Sequence, residues 1–72
     1  MTELRFARSL YAGEAVDEAI QRFAAHATVE REATDDYWIL RVTAKREAQQ
    51  RRVCGELRNH ALALTVARGG PS

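Results

Sequence analysis

The stretch GELRNHALALTVARGG, residues 55–70, decides the fold. Read as a helix, it leaves three strands in the rest of the chain. Read as a strand over LALTV (62–66), with Asn59-His60 as the turn before it, it adds a fourth. No Gly or Pro interrupts residues 56–68, which favours one helix from about Arg46 to Arg68. Val53, Leu57, Ala61 and Leu64 then form one apolar stripe, with Cys54 beside it. Leu62 and Val66 fall elsewhere on the wheel. Such a helix is about 34 Å long at 1.5 Å per residue. Strands of five or six residues span only about 17–20 Å. The helix is therefore expected to overrun its sheet, and a second chain is expected to cover its surplus at Leu62 and Val66.

Working back towards the N-terminus, TVEREATDDYWILRVTAK (28–45) reads as a hairpin with its turn at Asp35-Asp36. In the second arm Trp38, Leu40, Val42 and Ala44 share one face, and Tyr37, Ile39, Arg41 and Thr43 share the other. Apolar residues near the start of both faces suit a central strand. The first arm is more polar and suits the outside of a sheet. GEAVDEAIQRFAAHA (13–27) is an amphipathic helix, with Val16, Ala19, Ile20, Phe23, Ala24 and Ala27 on one face. Glu14, Asp17 and Glu18 sit in its first turns, where the helix dipole favours negative charge. LRFARSLY (4–11) gives a strand with Leu4, Phe6 and Leu10 on one parity. Arg8 breaks that stripe, which suits an edge.

The order is β-α-β-β-α, an α+β domain over residues 1–68 followed by a flexible GGPS tail at 69–72. Right-handed crossovers and adjacent hairpin arms limit its topology. The expected solution is a three-stranded sheet with two helices on one face, a ferredoxin-like fold lacking its last strand. The face bearing Tyr37, Ile39 and Thr43 stays open.

A chain of 72 residues buries little surface and is marginal alone. With one cysteine it forms no internal disulfide, and His26 and His60 have no His or Cys at metal-ligand spacing. Association is what remains to add stability, with a second copy in a homo-oligomer or with a partner. No signal segment and no membrane span is legible, so the expected location is cytoplasmic. No glycine-rich phosphate loop occurs, and no cysteine set for an iron–sulfur cluster, so no cofactor and no enzymatic activity are expected. Residues 1–44 carry five Arg against eight Asp and Glu, whereas residues 45–72 carry six Lys and Arg against two Glu. The basic run KREAQQRRVCGELR (45–58) offers Lys45, Arg46, Arg51, Arg52 and Arg58 to phosphates. No aromatic residue interleaves with them, and Glu47 and Glu56 dilute them. A small nucleic-acid-binding regulator is thus the weaker, rival reading.

Four pieces set in this order carry a resemblance: the LY before an acidic helix start, the Ala-Ile-x-x-Phe helix, the aromatic-led strand YWILRVTAK and the helix GELRNHAL. Over about residues 10–66 the chain resembles His-Xaa-Ser system protein D. Members of that family are small accessory proteins encoded beside radical SAM enzymes, which modify a ribosomally made peptide containing His-Xaa-Ser repeats. The resemblance implies a non-enzymatic accessory role in peptide maturation, with the radical SAM enzyme, the precursor peptide or both as partners. It carries over no catalytic residues. An extended peptide is expected to add to the N-terminal strand at residues 4–10. The expected contacts are Arg5, Ala7, Arg8, Tyr37 and Ile39 on the sheet, with Leu62 and Val66 on the last helix.

Overall fold

The structure is a computed structural model and describes residues 1–70. Its elements are β1 (Thr2–Ala7), α1 (Gly13–Arg22), β2 (Ala27–Ala33), β3 (Tyr37–Ala44) and α2 (Gln50–Ala67), with a 3-10 turn at Glu47–Gln49. The sheet is antiparallel, in the order β1-β3-β2. This is the expected α+β arrangement, and residues 62–66 are helix, not a fourth strand. β3 holds the centre because it is apolar on both sides at Ile39 and Leu40, whereas β2 is exposed along most of its length.

Alternation builds the core. Leu4 and Phe6 of β1 share a face with Leu40, Val42 and Ala44 of β3, and all five are buried. Val16 and Ala19 of α1 and Val53, Cys54, Leu57 and Ala61 of α2 close over that same face. Both helices therefore lie on one side of the sheet.

The elements differ from the sequence reading at their ends. The first strand stops at Ala7, because the Ala7 carbonyl accepts the N–H groups of Leu10 and Tyr11 and turns the chain. Leu10, expected on the inner parity, is 62% exposed. α1 ends at Arg22 instead of running to Ala27. The Phe23 carbonyl takes the N–H groups of His26 and Ala27, which releases Ala27 into β2 opposite Ala44. Ala24 is consequently exposed.

α2 begins at Gln50 and not at Arg46, so its 18 residues span about 27 Å. That is close to the length of β3, and the expected overrun shrinks accordingly. The far end is also partly covered by the chain itself, since Ala61 and Thr65 are buried. Thr65 is the one polar residue in the run ALALTVA, and it is 1% exposed. Its hydroxyl accepts the Ala12 N–H at 3.1 Å and donates to the Ala61 carbonyl at 2.8 Å. Ala12 is the N-cap of α1 and has no side-chain cap of its own. The threonine therefore ties the end of one helix to the start of the other. Leu62 and Val66 point outward, 45% and 69% exposed.

Gly69 and Gly70 close α2 with positive φ angles of 91° and 109°. The Gly70 N–H reaches the Thr65 carbonyl and the Gly69 N–H reaches that of Val66, the paired bonds of a Schellman cap. Glycine is needed here, because other residues avoid positive φ. Of the tail expected at 69–72, Pro71 and Ser72 lie outside the described residues.

Candidate functional site

The pairing pattern shows which backbone groups the sheet leaves outward. The Arg8 N–H bonds to the Asp36 carbonyl at 2.9 Å, and the Thr34 N–H bonds to that of Tyr37 at 2.8 Å. Bonded pairs recur every second residue in an antiparallel ladder. With the observed register, even-numbered residues of β3 turn their N–H and C=O to β1, and odd-numbered ones turn to β2. On β1, Thr2, Leu4 and Phe6 are thus committed to β3. Glu3, Arg5 and Ala7 direct their backbone groups away from the sheet. The outer edge of β1 offers three donors to an incoming strand, and no fourth strand occupies it among the described residues.

The open face lies beside that edge. In register, Arg5 is opposite Ile39, and Ala7 is opposite Tyr37. These four expected contacts are therefore brought together, with Tyr37 exposed and Ile39 half-buried. Further along, Arg41 reaches Glu3 on β1 and Glu32 on β2, each at 3.7 Å, and Arg5 reaches Glu3 at 3.6 Å. One end of the face is a lattice of charges. The other is a small patch of Ala7, Tyr37 and Ile39.

Arg8 does not join this face. Its guanidinium stacks on the Trp38 ring at 4.4 Å and donates to the Thr34 carbonyl at 2.7 Å. Arg31 of β2 stacks on the same ring at 4.7 Å and pairs with Asp17 of α1 at 2.9 Å. The Trp38 Nε1–H donates to the Tyr11 carbonyl at 3.2 Å. Leu62 and Val66 are also apart from the patch, since α2 covers the opposite side of the sheet.

The five cations of the basic run do not form one surface. Lys45 and Arg46 line a hollow with His26 where β3 leaves the sheet. Arg52 is paired with Glu56 at 3.0 Å. Arg58 turns towards β1, with its guanidinium 6.0 Å from the Phe6 ring. Arg51 lies seven residues before Arg58 and shares its side of the helix. A cleft of about 250 Å³ beside Arg52 is lined by Phe23, His26, Gln49, Val53 and Glu56. No group of three His, Cys, Asp or Glu that could hold a metal occurs among the described residues.

Sequence reasoning missed three structural devices that position this surface. Besides Thr65, these are the Trp38 clasp and Gln50. The Gln50 amide accepts the Ala44 N–H at 2.7 Å and donates to the Val42 carbonyl at 2.7 Å and to the Thr2 hydroxyl at 3.1 Å. It pairs with Ala44 beyond the start of β1, on the side of Thr2 where the ladder with β1 ends. Phe23 and Trp38 both pack against the core between helices and sheet, towards opposite ends of α1. Phe23 faces His60 edge-on at 6.1 Å, and Trp38 abuts Gly13. A glycine opening a helix without a capping side chain was the one local signal of the clasp.

The chain matches no protein-family model, no curated protein and no solved structure.

Proposed function

We propose that this chain is a non-enzymatic accessory module of ribosomal-peptide maturation in the cytoplasm. Its task is to hold a precursor peptide, a radical SAM modifying enzyme, or both. The observation that carries this reading is the unpaired outer edge of β1, set beside Arg5, Ala7, Tyr37 and Ile39. An edge with free backbone donors gives affinity to any extended segment, and alternate side chains give selectivity. The order of the four sequence pieces, resembling His-Xaa-Ser system protein D, supplies the pathway. No helix among the described residues is long and apolar enough to cross a membrane. Nucleic-acid binding is the poorer reading, because the cations of the basic run are spread over separate sides of the domain.

The test is co-purification of the tagged chain with the products of the genes adjacent to its own. Retention of a radical SAM enzyme or a precursor peptide is expected. Ala7→Pro removes one outward N–H and is tolerated on an edge strand. It is expected to weaken retention more than it weakens the fold, the latter read by circular dichroism. Failure to retain either neighbour would end the proposal.

A further inference from the structure

Two features meet at the outer flank of β1. The first is the backbone edge at Glu3, Arg5 and Ala7. Ala7 has already committed its carbonyl to Leu10 and Tyr11. The ladder for an added strand therefore ends at the Ala7 N–H. The second is a stripe on α2. Arg51, Gly55, Arg58 and Leu62 recur at spacings of four, three and four, so they lie on one side of the helix.

The placement of that stripe follows from its neighbours. α1 lies along the other flank of α2, where Phe23 meets His60. Arg58 reaches over Phe6, and Gln50 reaches Thr2, so the stripe overhangs β1. All four of its residues are exposed, and a side chain at Gly55 would meet nothing within 4 Å. Neither Arg51 nor Arg58 takes part in a salt bridge among the described residues. On the sheet's other side, Arg5 is 63% exposed and shares Glu3 with Arg41.

We propose that the β1 edge and the Arg51–Gly55–Arg58–Leu62 stripe form one track that takes an extended acidic segment of a partner peptide as a fourth strand. This rests on the peptide-binding reading above and adds the chemical class of the segment. Side chains of an added strand alternate between the two faces of the sheet. Those under the helix meet Arg51 and Arg58, with Leu62 giving an apolar contact. Those on the open face meet Arg5 and its ion-pair partner Glu3. Carboxylates answer the two cations on the helix side, and the absence of a side chain at Gly55 leaves room between them. A second copy of this chain fits less well. Pairing β1 with its symmetry mate brings two such arginine stripes together, and like charges repel.

The test uses the whole chain with two synthetic octapeptides, one alternating Val and Glu, the other alternating Val and Lys. Fluorescence anisotropy gives affinity at low and high salt, and amide hydrogen exchange locates the strand. The Glu peptide is expected to bind at least about tenfold more tightly, to weaken in high salt, and to slow exchange at Glu3, Arg5 and Ala7. In the double variant Arg51→Glu/Arg58→Glu the preference is expected to reverse, with the thermal midpoint held. Should that variant unfold, the exchange footprint on the parent decides alone. Equal binding of the two peptides overturns the proposal, as does protection confined to the β2 edge. A single-stranded oligonucleotide that outbinds the Glu peptide without slowing those amides assigns the arginines to nucleic acid instead. A chain already dimeric, with the same amides protected, assigns the edge to a second copy. Co-purification separates this inference from its parent: neighbours retained while the Glu peptide is ignored would sink the acidic segment and leave the accessory role standing.

Discussion

Ile39 and Leu40 are adjacent in the central strand and live in different chemistries. Leu40 faces the helices, opposite Leu4, and is fully buried. Ile39 faces outward between Arg5 and Glu32 and is half-buried. The same backbone carries both faces, yet every large, fully buried side chain of the strands lies on one of them. The covered face holds the fold together, and the open face is left to present side chains. In so small a domain these duties are divided within a single layer of strands, one residue apart.

The division predicts unequal costs. Leu40→Ala removes a side chain with no route to solvent and leaves a cavity under both helices. Such changes cost about 2–5 kcal/mol. A domain of this size holds roughly 4–11 kcal/mol in total. The thermal midpoint is expected to fall by about 10 °C or more, read by circular dichroism. A Leu40→Ala chain that melts like the parent would mean that the two faces have been assigned the wrong way round.

Thr65 shows that the covered face is not held by apolar contact alone. Thr65→Val keeps the shape and removes the hydroxyl. The buried Ala12 N–H then loses its partner, at a cost of about 1–3 kcal/mol. Thr65→Ser keeps the bond and is expected to recover most of the loss. Equal melts for the serine and valine variants would show that packing, not the hydrogen bond, ties α2 to the start of α1.

Gly13 marks the border of the covered face. A Cβ placed there would stand 2.7 Å from Cζ2 of Trp38. The indole has little freedom to retreat, since two guanidinium groups flank it and its N–H is bonded to Tyr11. Alanine gains up to about 1 kcal/mol of helix propensity, but overpacking costs about 1–3 kcal/mol. Gly13→Ala is therefore expected to lower stability by about 1 kcal/mol net, with a change in tryptophan fluorescence. A stabilised variant with unchanged emission would show that the ring yields freely.

These devices also mark where the sequence stopped being legible. The order β-α-β-β-α and the central place of YWILRVTAK follow from local periodicity, and the helical state of residues 62–66 from the absence of Gly and Pro over residues 56–68. The parity of β3 correctly separated Leu40 and Val42 from Ile39 and Tyr37. What periodicity missed rests on partners far along the chain. Thr65 bonds across 53 positions, Gln50 across 48 and Trp38 across 27. Hydropathy ranks a threonine below its leucine and valine neighbours, so Leu62 and Val66 drew attention while Thr65 took the buried position. Arg8 has the sequence context of an edge charge and of an expected peptide contact. The turn at Ala7 instead lays it over an indole supplied by another strand. At the candidate site, the grouping of Arg5, Ala7, Tyr37 and Ile39 was legible because it needed only strand parity and pairing.

The smallest effect on stability belongs to the open face, and it is the sharpest check on the comparison. Ile39→Ala removes about the same atoms as Leu40→Ala. No cavity results, because water already reaches the site. Burial worth about 25 cal/mol per Å² is lost over only part of the side chain, and alanine is a somewhat poorer strand former. The neighbouring ion pairs are more than one-third exposed and contribute little that the change could disturb. The expected loss is below about 1 kcal/mol, a few degrees in the thermal midpoint at most. Binding to the proposed partner is expected to fall more than stability does, because Ile39 lies opposite Arg5 and next to Tyr37 on the face proposed for recognition. The measurement is a melt and a co-purification on the same preparation. A large drop in midpoint would show that the open face also holds the fold together. An unchanged midpoint with unchanged retention would move the partner off this face and onto the β1 edge and the α2 stripe alone.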